Sequence, residues 1–260
     1  MKYIDSHVHI GDADLVEKYV TTSPLRNQIR LYSALTAEVV KQQEAYLRSC
    51  ERYLGLPIIL KEITIPEANA YLENFAASHT SCLPAFLVGD EEARYQRNHS
   101  RILKEHFLHH SLENLEERKS SYAYLNSLGN GYLLIHSLDL GRIEYIQMLR
   151  KEYPHMKIII AHMGRNVYEE FEFSKNVIDA FRDDEAIWFD TSTIKKEAIL
   201  QYALQTIGDE RILFGTDFPY ECQENLSQNH FFEMISRAKL TSTSYQNILY
   251  HNAKRVMDGT

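Results

Sequence analysis

The sequence predicts an α/β fold, a single (β/α)8 TIM barrel in a regular or distorted form. Short apolar or β-branched runs, typical of parallel strands buried on both faces, recur along the 260 residues, and helical periodicity lies between them. About eight such units fit one barrel domain over residues 1–260. An open, doubly wound sheet is the alternative, but no glycine-rich phosphate loop follows the first strand.

The predicted elements follow one another with a single long interruption. The strands are expected at residues 2–10, 56–65, 81–89, 101–106, 131–136, 157–162, 187–190 and 211–217. The helices are expected at residues 36–54, 66–75, 141–153, 167–181, 195–207 and 244–257. The connection after strand 1, residues 11–36, is longer than usual, which is consistent either with a lid over the barrel mouth or with a surface excursion.

Composition limits the classes of partner. A net charge of −8 disfavours a nucleic-acid partner, and no apolar run is long enough to enter a membrane. Three cysteines without a CxxC pair make neither a disulfide framework nor a zinc knuckle, and the acidic, histidine-bearing start does not resemble a signal peptide. A cytoplasmic protein with a small-molecule substrate is therefore expected, and a homo-oligomer is left open.

Metal-type side chains coincide with the predicted strand ends. His7 and His9 lie two residues apart on the first strand and so share a face. His136, His162 and Asp217 end the fifth, sixth and eighth runs, and those ends meet at one mouth in a barrel. Imidazoles with a carboxylate suit Zn(II), and less strictly Mn(II) or Fe(II), so a divalent metal centre is predicted.

The expected ligands stand in four characteristic segments. These are Asp5-Ser6-His7-Val8-His9, Leu134-Ile135-His136-Ser137, Ile160-Ala161-His162-Met163-Gly164 and Phe214-Gly215-Thr216-Asp217-Phe218-Pro219, with Ile248-Leu249-Tyr250-His251-Asn252-Ala253 as a closing motif. With these segments the sequence resembles the amidohydrolase superfamily, and within it the amidohydrolase-related subgroup of TIM-barrel metal-dependent hydrolases that includes aminocarboxymuconate-semialdehyde decarboxylase-like proteins. The resemblance covers essentially the whole chain.

The resemblance implies roles for these positions. It implies metal ligation by His7, His9, His136 and Asp217, with His162 as the acid or base beside the metal. Asp217 is then a ligand, a base, or both. Asp190, which ends the seventh run, either holds a ligand histidine through a hydrogen bond or caps the next helix.

Further residues are candidates for substrate contact. Lys104 either pairs with an anionic group of the substrate or a neighbouring acid, or bridges two metals as a carbamate; the first interpretation is preferred. His106 is expected at the mouth, Arg165 either grips an anion or is solvated, and Tyr220 is a candidate pocket residue. The charge run of residues 116–119 is expected to be a solvated helix face.

These residues lead to three functional hypotheses. The preferred one is a metal-dependent hydrolase in which a divalent ion activates water against a small ester, lactone or amide. The alternative is nonoxidative decarboxylation of a small unsaturated or aromatic carboxylic acid at the same metal site. The third is a barrel that binds without catalysing, which predicts damaged metal positions, whereas every expected ligand is present.

Overall fold

The chain forms a ring of parallel strands with helices packed around it. The computed structural model describes residues 2–11, 14–15, 44–59, 63–110, 114–136, 143–165, 171–220 and 229–260. The strands are β1 (Ile4–Ile10), β2 (Arg52–Pro57), β3 (Cys82–Pro84), β4 (Phe86–Leu87), β5 (Ile102–Glu105), β6 (Tyr132–Ile135), β7 (Lys157–Ile160), β8 (Ile187–Asp190) and β9 (Ile212–Leu213).

The strand pairing confirms the predicted TIM barrel. Strands β1, β2 and β3 pair in that order, β4 to β9 pair in sequence order, and every pair is parallel. Strands β3 and β4 are consecutive pieces of one segment, separated by Ala85. Residues that follow β9 hydrogen-bond to β1, from Ser6 N to Phe214 O at 2.8 Å and from His9 N to Phe218 O at 2.7 Å. Eight parallel segments therefore close into one barrel.

The helices lie between successive strands and at the end of the chain. They are α1 (Ile65–Ser78), α2 (Glu92–Arg97), α3 (Lys119–Ser127), α4 (Ile143–Glu152), α5 (Phe171–Ala180), α6 (Glu197–Ile207), α7 (Asn229–Arg237), α8 (Ser242–Gln246) and α9 (Asn252–Asp258), and residues 44–49 are also helical. Thr64 begins α1 with a capping box in which its hydroxyl and Glu67 satisfy each other's backbone N–H groups. Within the described ranges, none of the helices has the length and apolar character to span a bilayer.

The two larger apolar clusters of the described residues follow from the alternation of side chains along the strands. The outer core joins strand residues to the helices, whereas the inner core consists mostly of strand residues and fills the barrel. Ala253, Val256 and Met257 of α9 pack into the inner core. The lower barrel is therefore a packed apolar layer, and the polar strand ends lie above it.

The predicted boundary between the helix at residues 36–54 and the strand at 56–65 was wrong. Residues 52–57 form β2, and residue 65 already begins α1. Tyr53 and Leu54 fit a helical and an extended pattern equally well, so periodicity did not separate the two. Gly55 carries the better signal, because a Cβ there would lie 2.5 Å from Cys82 Sγ in the neighbouring strand.

Two other predicted elements are interrupted. The run at residues 81–89 forms two short strands, and the last predicted helix divides into α8, a π-helical turn (Asn247–His251) and α9. The expected solvated face at residues 116–119 was wrong for Arg118, which is buried against β5. Cys50 and Cys82 are buried free thiols. Most of the long connection at residues 11–36, and with it the lid hypothesis, lies outside the described residues, as does Cys222.

Candidate metal centre

Two histidines of β1 and one aspartate after β9 converge at the barrel mouth. The Nε2 atom of His7 lies 3.3 Å from Asp217 Oδ1, and the Nε2 atom of His9 lies 3.2 Å from the same oxygen. Both imidazoles are buried, and the Asp217 side chain is 13% exposed. Strand alternation places the two histidines on the inner face, and the hydrogen bond from Asp217 N to His7 O, at 2.8 Å, brings the aspartate beside them.

The hydrogen bonds of the two imidazoles fix which nitrogen carries the proton. His7 Nδ1 lies 2.8 Å from Asp190 Oδ2, and His9 Nδ1 lies 2.7 Å from the carbonyl oxygen of Pro57. A carbonyl and a carboxylate accept, so each Nδ1 donates, and in the neutral form of each ring Nε2 then carries the lone pair. The buried Nε2 of His7 has no hydrogen-bond partner in the described part of the chain.

This donor set fits a divalent cation. Two imidazole lone pairs and a carboxylate oxygen face one another, and such electron-rich atoms repel unless a cation or a proton lies between them. Imidazole and carboxylate are ligands of Zn(II), Mn(II) and Fe(II), and an anchored Nδ1–H is the usual support of a ligating histidine. The ligand roles of His7, His9 and Asp217 remain predictions that this geometry supports.

Asp190 supports the histidines and is a poorer candidate ligand. Its Oδ2 accepts from His7 Nδ1, and its Oδ1 accepts from His162 N at 2.9 Å, from Ser192 N at 3.0 Å and from the Ser192 hydroxyl. His7, His162 and Asp190 form a second cluster with metal-type spacing, but these hydrogen bonds already account for it. The alternative helix-cap role was wrong, because α6 begins after Lys196 without a side-chain cap.

His162 lies beside this cluster in a strained turn. The residue has a φ of 58° and follows β7 in a 3-10 segment (Ala161–Gly164), so it lies just past the strand in which it was expected. Its Nδ1 lies 3.3 Å from the Ser192 carbonyl oxygen and 2.8 Å from Ser192 Oγ. The carbonyl can only accept, so Nδ1 donates and Nε2 carries the lone pair. Burial lowers the pKa of His162 well below its usual value.

His136 contacts the His162 ring, which in turn contacts the ring of His7. Its ring centroid is 4.8 Å from that of His162 and 4.4 Å from that of His106. It belongs to neither cluster with metal-type spacing, although the resemblance implied ligation. Burial lowers the pKa of His136 as well, so the imidazole is neutral at pH 7.

Lys104 is a buried ammonium group next to the centre. The residue is fully buried in β5, and its Nζ has no hydrogen-bond partner among the residues described. Burial lowers its pKa to about 8, although the charges of Asp190 and Asp217 act in the opposite direction. A cationic donor of this kind is suited to an anionic ligand at the mouth.

The other expected substrate residues border the same region. His106 directly follows β5, and its Nδ1 accepts from Leu108 N at 3.3 Å, so its proton lies on Nε2. The ring of Tyr220 contacts that of His9 at 4.9 Å, and its hydroxyl accepts from Ile59 N at 3.1 Å. Arg165 Nε donates to Thr193 Oγ1 at 2.6 Å. The structure thus places all three near the mouth, and their contact with substrate remains a prediction.

Sequence reasoning missed several residues that hold the site. Ser192 and Thr216 are not metal-ligand residue types, so they were not singled out. The Pro57 group that contacts His9 is a backbone carbonyl, which every residue has, so residue type does not predict it. A usable signal was position, because Ser192 comes two residues after the strand-ending Asp190, and Thr216 precedes Asp217. Asp5, two residues before His7, is fully buried and accepts hydrogen bonds from His7 N in β1 and from Thr216 N after β9, the two segments that close the barrel.

A comparison with protein families gives one match over nearly the whole chain. The family model described as Amidohydrolase matches residues 4–258. Decarboxylase orsB from Emericella nidulans is 28% identical over 117 residues, which is 40% of this chain and 35% of that protein. The chain therefore matches only about a third of the length of this curated relative.

Solved structures share the fold at low sequence identity. A candidate 2-pyrone-4,6-dicarboxylic acid hydrolase from Pseudomonas putida has a TM-score of 0.70 at 14% identity, covering 99% of this chain and 98% of that chain. A dihydroxybenzoic acid decarboxylase from Polaromonas, with manganese and 2-nitroresorcinol bound, has a TM-score of 0.65 at 14% identity, covering 99% and 97%. A zinc-bound amidohydrolase from Burkholderia multivorans has a TM-score of 0.71 at 12% identity, covering 99% of both chains.

Proposed function

Because this chain belongs to the Amidohydrolase family, we propose that it is a metal-dependent hydrolase of small esters, lactones or amides. The family match and the metal-bound structural neighbours support the broader conclusion that the chain is an enzyme of the amidohydrolase superfamily that uses a divalent metal. The reaction, the residue roles and the choice of zinc over manganese or iron belong to the proposal.

One observation carries the proposal. The Nε2 lone pairs of His7 and His9 converge on Asp217 Oδ1, while hydrogen bonds to Asp190 and to the Pro57 carbonyl hold the opposite nitrogens. Such an arrangement is energetically unfavourable in the protein interior unless a cation or a proton lies between the three electron-rich atoms, because they are desolvated together. We assign His7, His9 and Asp217 as metal ligands, with His136 as the remaining ligand implied by the family likeness.

The chain's own groups supply binding and proton transfer. A bound divalent ion supplies Lewis-acid chemistry, which brings the pKa of water to about 7 and polarises a carbonyl oxygen. His162 is neutral and keeps a lone pair on Nε2, so it can accept a proton from water and return it to the leaving group. Asp217 is the second group able to take that proton.

Two donors are available to orient the substrate. The ammonium of Lys104, which has no hydrogen-bond partner in the described ranges, is buried beside the site and attracts a carboxylate or a developing negative charge. His106 presents an Nε2–H donor, the opposite tautomer from His7, His9 and His162. Arg165 and Tyr220 complete the proposed substrate contacts at the rim. Both donors act on the oxygen atoms of the substrate rather than on the metal.

Nonoxidative decarboxylation is the second candidate, and a specific observation favours it. The curated relative at 28% identity is a decarboxylase, and the neighbour with bound manganese is a dihydroxybenzoic acid decarboxylase. A buried lysine is equally suited to hold the carboxylate of an aromatic acid. In that reaction His162 Nε2 would first accept a proton from water or from a hydroxyl of the substrate, and would then deliver it to the carbon that loses carbon dioxide.

Metal analysis tests the shared premise. We expect the purified protein, given zinc, manganese or iron(II), to bind one or more equivalents, and His7→Gln to lose affinity by more than the roughly 10–100-fold that loss of a supporting residue costs. His155→Gln is the matched control, because this histidine is exposed and remote from the centre. Equal metal content in the parent and His7→Gln would remove the premise, and no metal binding by the parent would favour the non-catalytic barrel.

Product analysis separates the two reactions. The metal-loaded protein is assayed by pH-stat against a panel of lactones and esters, by amine release against a panel of amides, and by bicarbonate release against a panel of hydroxylated aromatic acids. Proton or amine release without bicarbonate supports hydrolysis. Bicarbonate from an aromatic acid, with no turnover of lactones or esters, would overturn the hydrolase proposal in favour of decarboxylation.

A further inference from the structure

Asp5 is a buried carboxylate that is held entirely by uncharged donors. Its Oδ1 accepts from His7 N at 3.0 Å and from Thr216 N at 3.1 Å, and its Oδ2 accepts from the hydroxyls of Thr216 at 2.7 Å and Tyr46 at 2.6 Å. The residue is fully buried. Because none of these donors carries a positive charge, burial of the carboxylate is unfavourable, and a stabilising role alone does not explain it.

The two oxygens join the strand and the turn that carry the candidate ligands. One backbone N–H comes from His7 itself and the other from Thr216, the residue before Asp217. Asp217 has a φ of 61°, a backbone conformation that residues with a side chain rarely adopt. The Thr216 hydroxyl donates to Asp5 and accepts from Phe218 N at 3.2 Å, so the turn is held on both sides of Asp217.

Tyr46 extends the same network to a third segment. This residue lies in the helical stretch at residues 44–49, and its hydroxyl donates to Asp5 Oδ2. Its ring stacks on Phe218 with centroids 5.3 Å apart and an interplanar angle of 15°. Through Tyr46, the carboxylate of Asp5 therefore also links the helical stretch at residues 44–49 to Phe218, the residue after Asp217.

We propose that Asp5 is a positioning residue that sets the separation between His7 and Asp217 at the metal centre. It touches neither candidate ligand's metal-facing atom, and it acts through the backbone of His7 and through the turn at Thr216. The functional consequence rests on the proposed metal site, whereas the positioning itself concerns the protein without metal.

Metal affinity is the first test, measured by chelator competition on the folded full chain. Asp5→Asn keeps the shape and one acceptor, but its amide nitrogen cannot accept from the two hydroxyls, and we expect affinity to fall by about 10–100-fold. Ser6→Ala is the matched control, because it removes a buried hydrogen bond of the same strand, from Ser6 Oγ to Phe214 O at 2.7 Å, away from the centre. That control should remain within about twofold of the parent.

A second pair of variants covers the case in which Asp5→Asn does not fold. Thr216→Ser keeps the hydroxyl that donates to Asp5, and it should retain the parent's affinity. Thr216→Val removes that hydroxyl and should lose affinity by about 10-fold or more. Equal affinities for these two, or a Ser6→Ala loss as large as that of Asp5→Asn, would overturn the positioning role.

Metal-free crystal structures distinguish this inference from the proposed function. We expect the distance between His7 Nε2 and Asp217 Oδ1 to increase in Asp5→Asn or Thr216→Val and to stay unchanged in Ser6→Ala. An unchanged distance in both Asp5→Asn and Thr216→Val overturns the inference even if the parent binds metal. A displaced Asp217 in a protein that binds no metal supports the positioning role and rejects the metal site.

Discussion

Two adjacent residues of β5 bury opposite charges on opposite sides of the barrel wall. Lys104 faces inward, and its Nζ has no hydrogen-bond partner among the described residues, whereas Glu105 faces outward among the helices. Arg118 Nη1 and the Tyr145 hydroxyl, the latter at 2.8 Å, both donate to Glu105 Oε1. Both residues are fully buried, so burial alone does not distinguish their roles.

The difference lies in how the protein satisfies each charge. The Glu105 carboxylate is paired with the Arg118 guanidinium and also accepts from the Tyr145 hydroxyl, as a buried structural ion pair requires. The inward ammonium is near the carboxylates of Asp190 and Asp217 but bonds to neither. A buried donor without a partner among the described residues is the pattern expected of a group that contacts a ligand, whereas a structural charge has its partner within the fold.

Breaking the outward cluster should have the largest effect on stability. Arg118→Met leaves the Glu105 carboxylate buried without its cation, and we expect the free energy of unfolding to fall by about 3–5 kcal/mol. Chemical denaturation measures it. Arg182→Met is the control, because its pair with Asp179 is half-exposed and should be worth about 0–1 kcal/mol. A loss no larger than in the control would show that the cluster is not structural.

Removing the Lys104 charge should instead increase the free energy of unfolding. Lys104→Met eliminates a buried ammonium for which the described part of the chain offers no hydrogen-bond partner, so the metal-free protein should become more stable by about 1–3 kcal/mol, while turnover falls by at least about tenfold. Lys151→Met, on an exposed helix surface, should change stability by less than about 0.5 kcal/mol. Destabilisation by Lys104→Met would contradict the binding role and place this lysine with the structural charges.

A pH series sharpens the same contrast with a smaller effect. The folded pKa of Lys104 is about 8, below the value of 10.5 expected when the chain is unfolded. Between these values the unfolded chain binds more protons, so this group makes the folded state more stable as pH rises. The stability advantage of metal-free Lys104→Met over the parent should therefore be largest near pH 7 and shrink toward pH 10. A constant advantage would contradict the lowered pKa.

The sequence allowed much of the centre to be predicted, because position along a parallel barrel converts chain order into proximity. The ends of successive strands meet, so His7, His9, His162 and Asp217 were expected together, and the structure brings them together. His136 shows the limit of this reasoning. A strand end defines a region of several ångströms, which does not determine whether a ring nitrogen reaches a common point.

The buried charges were beyond the reach of sequence patterns. Arg118 stands in a run of four charged residues that resembles a solvated helix face, and its partner is 13 residues away on another element. Local charge patterning reports only neighbours on the same element. Likewise, Tyr53 and Leu54 fit two periodicities, and the tertiary contact of Gly55 with β3 decided between them.

The packing of α9 against the inner core has a consequence for turnover. Ala253, Val256 and Met257 plug the barrel at the end opposite the centre, and an apolar layer that includes Ile4 and Leu54 fills the space between. In the ranges that the structure describes, reactant and product can then reach the centre only from the end of the barrel where the strands end. Substrate then binds only after product has been released. We therefore infer that product inhibits competitively with substrate and that product release can limit the rate of turnover.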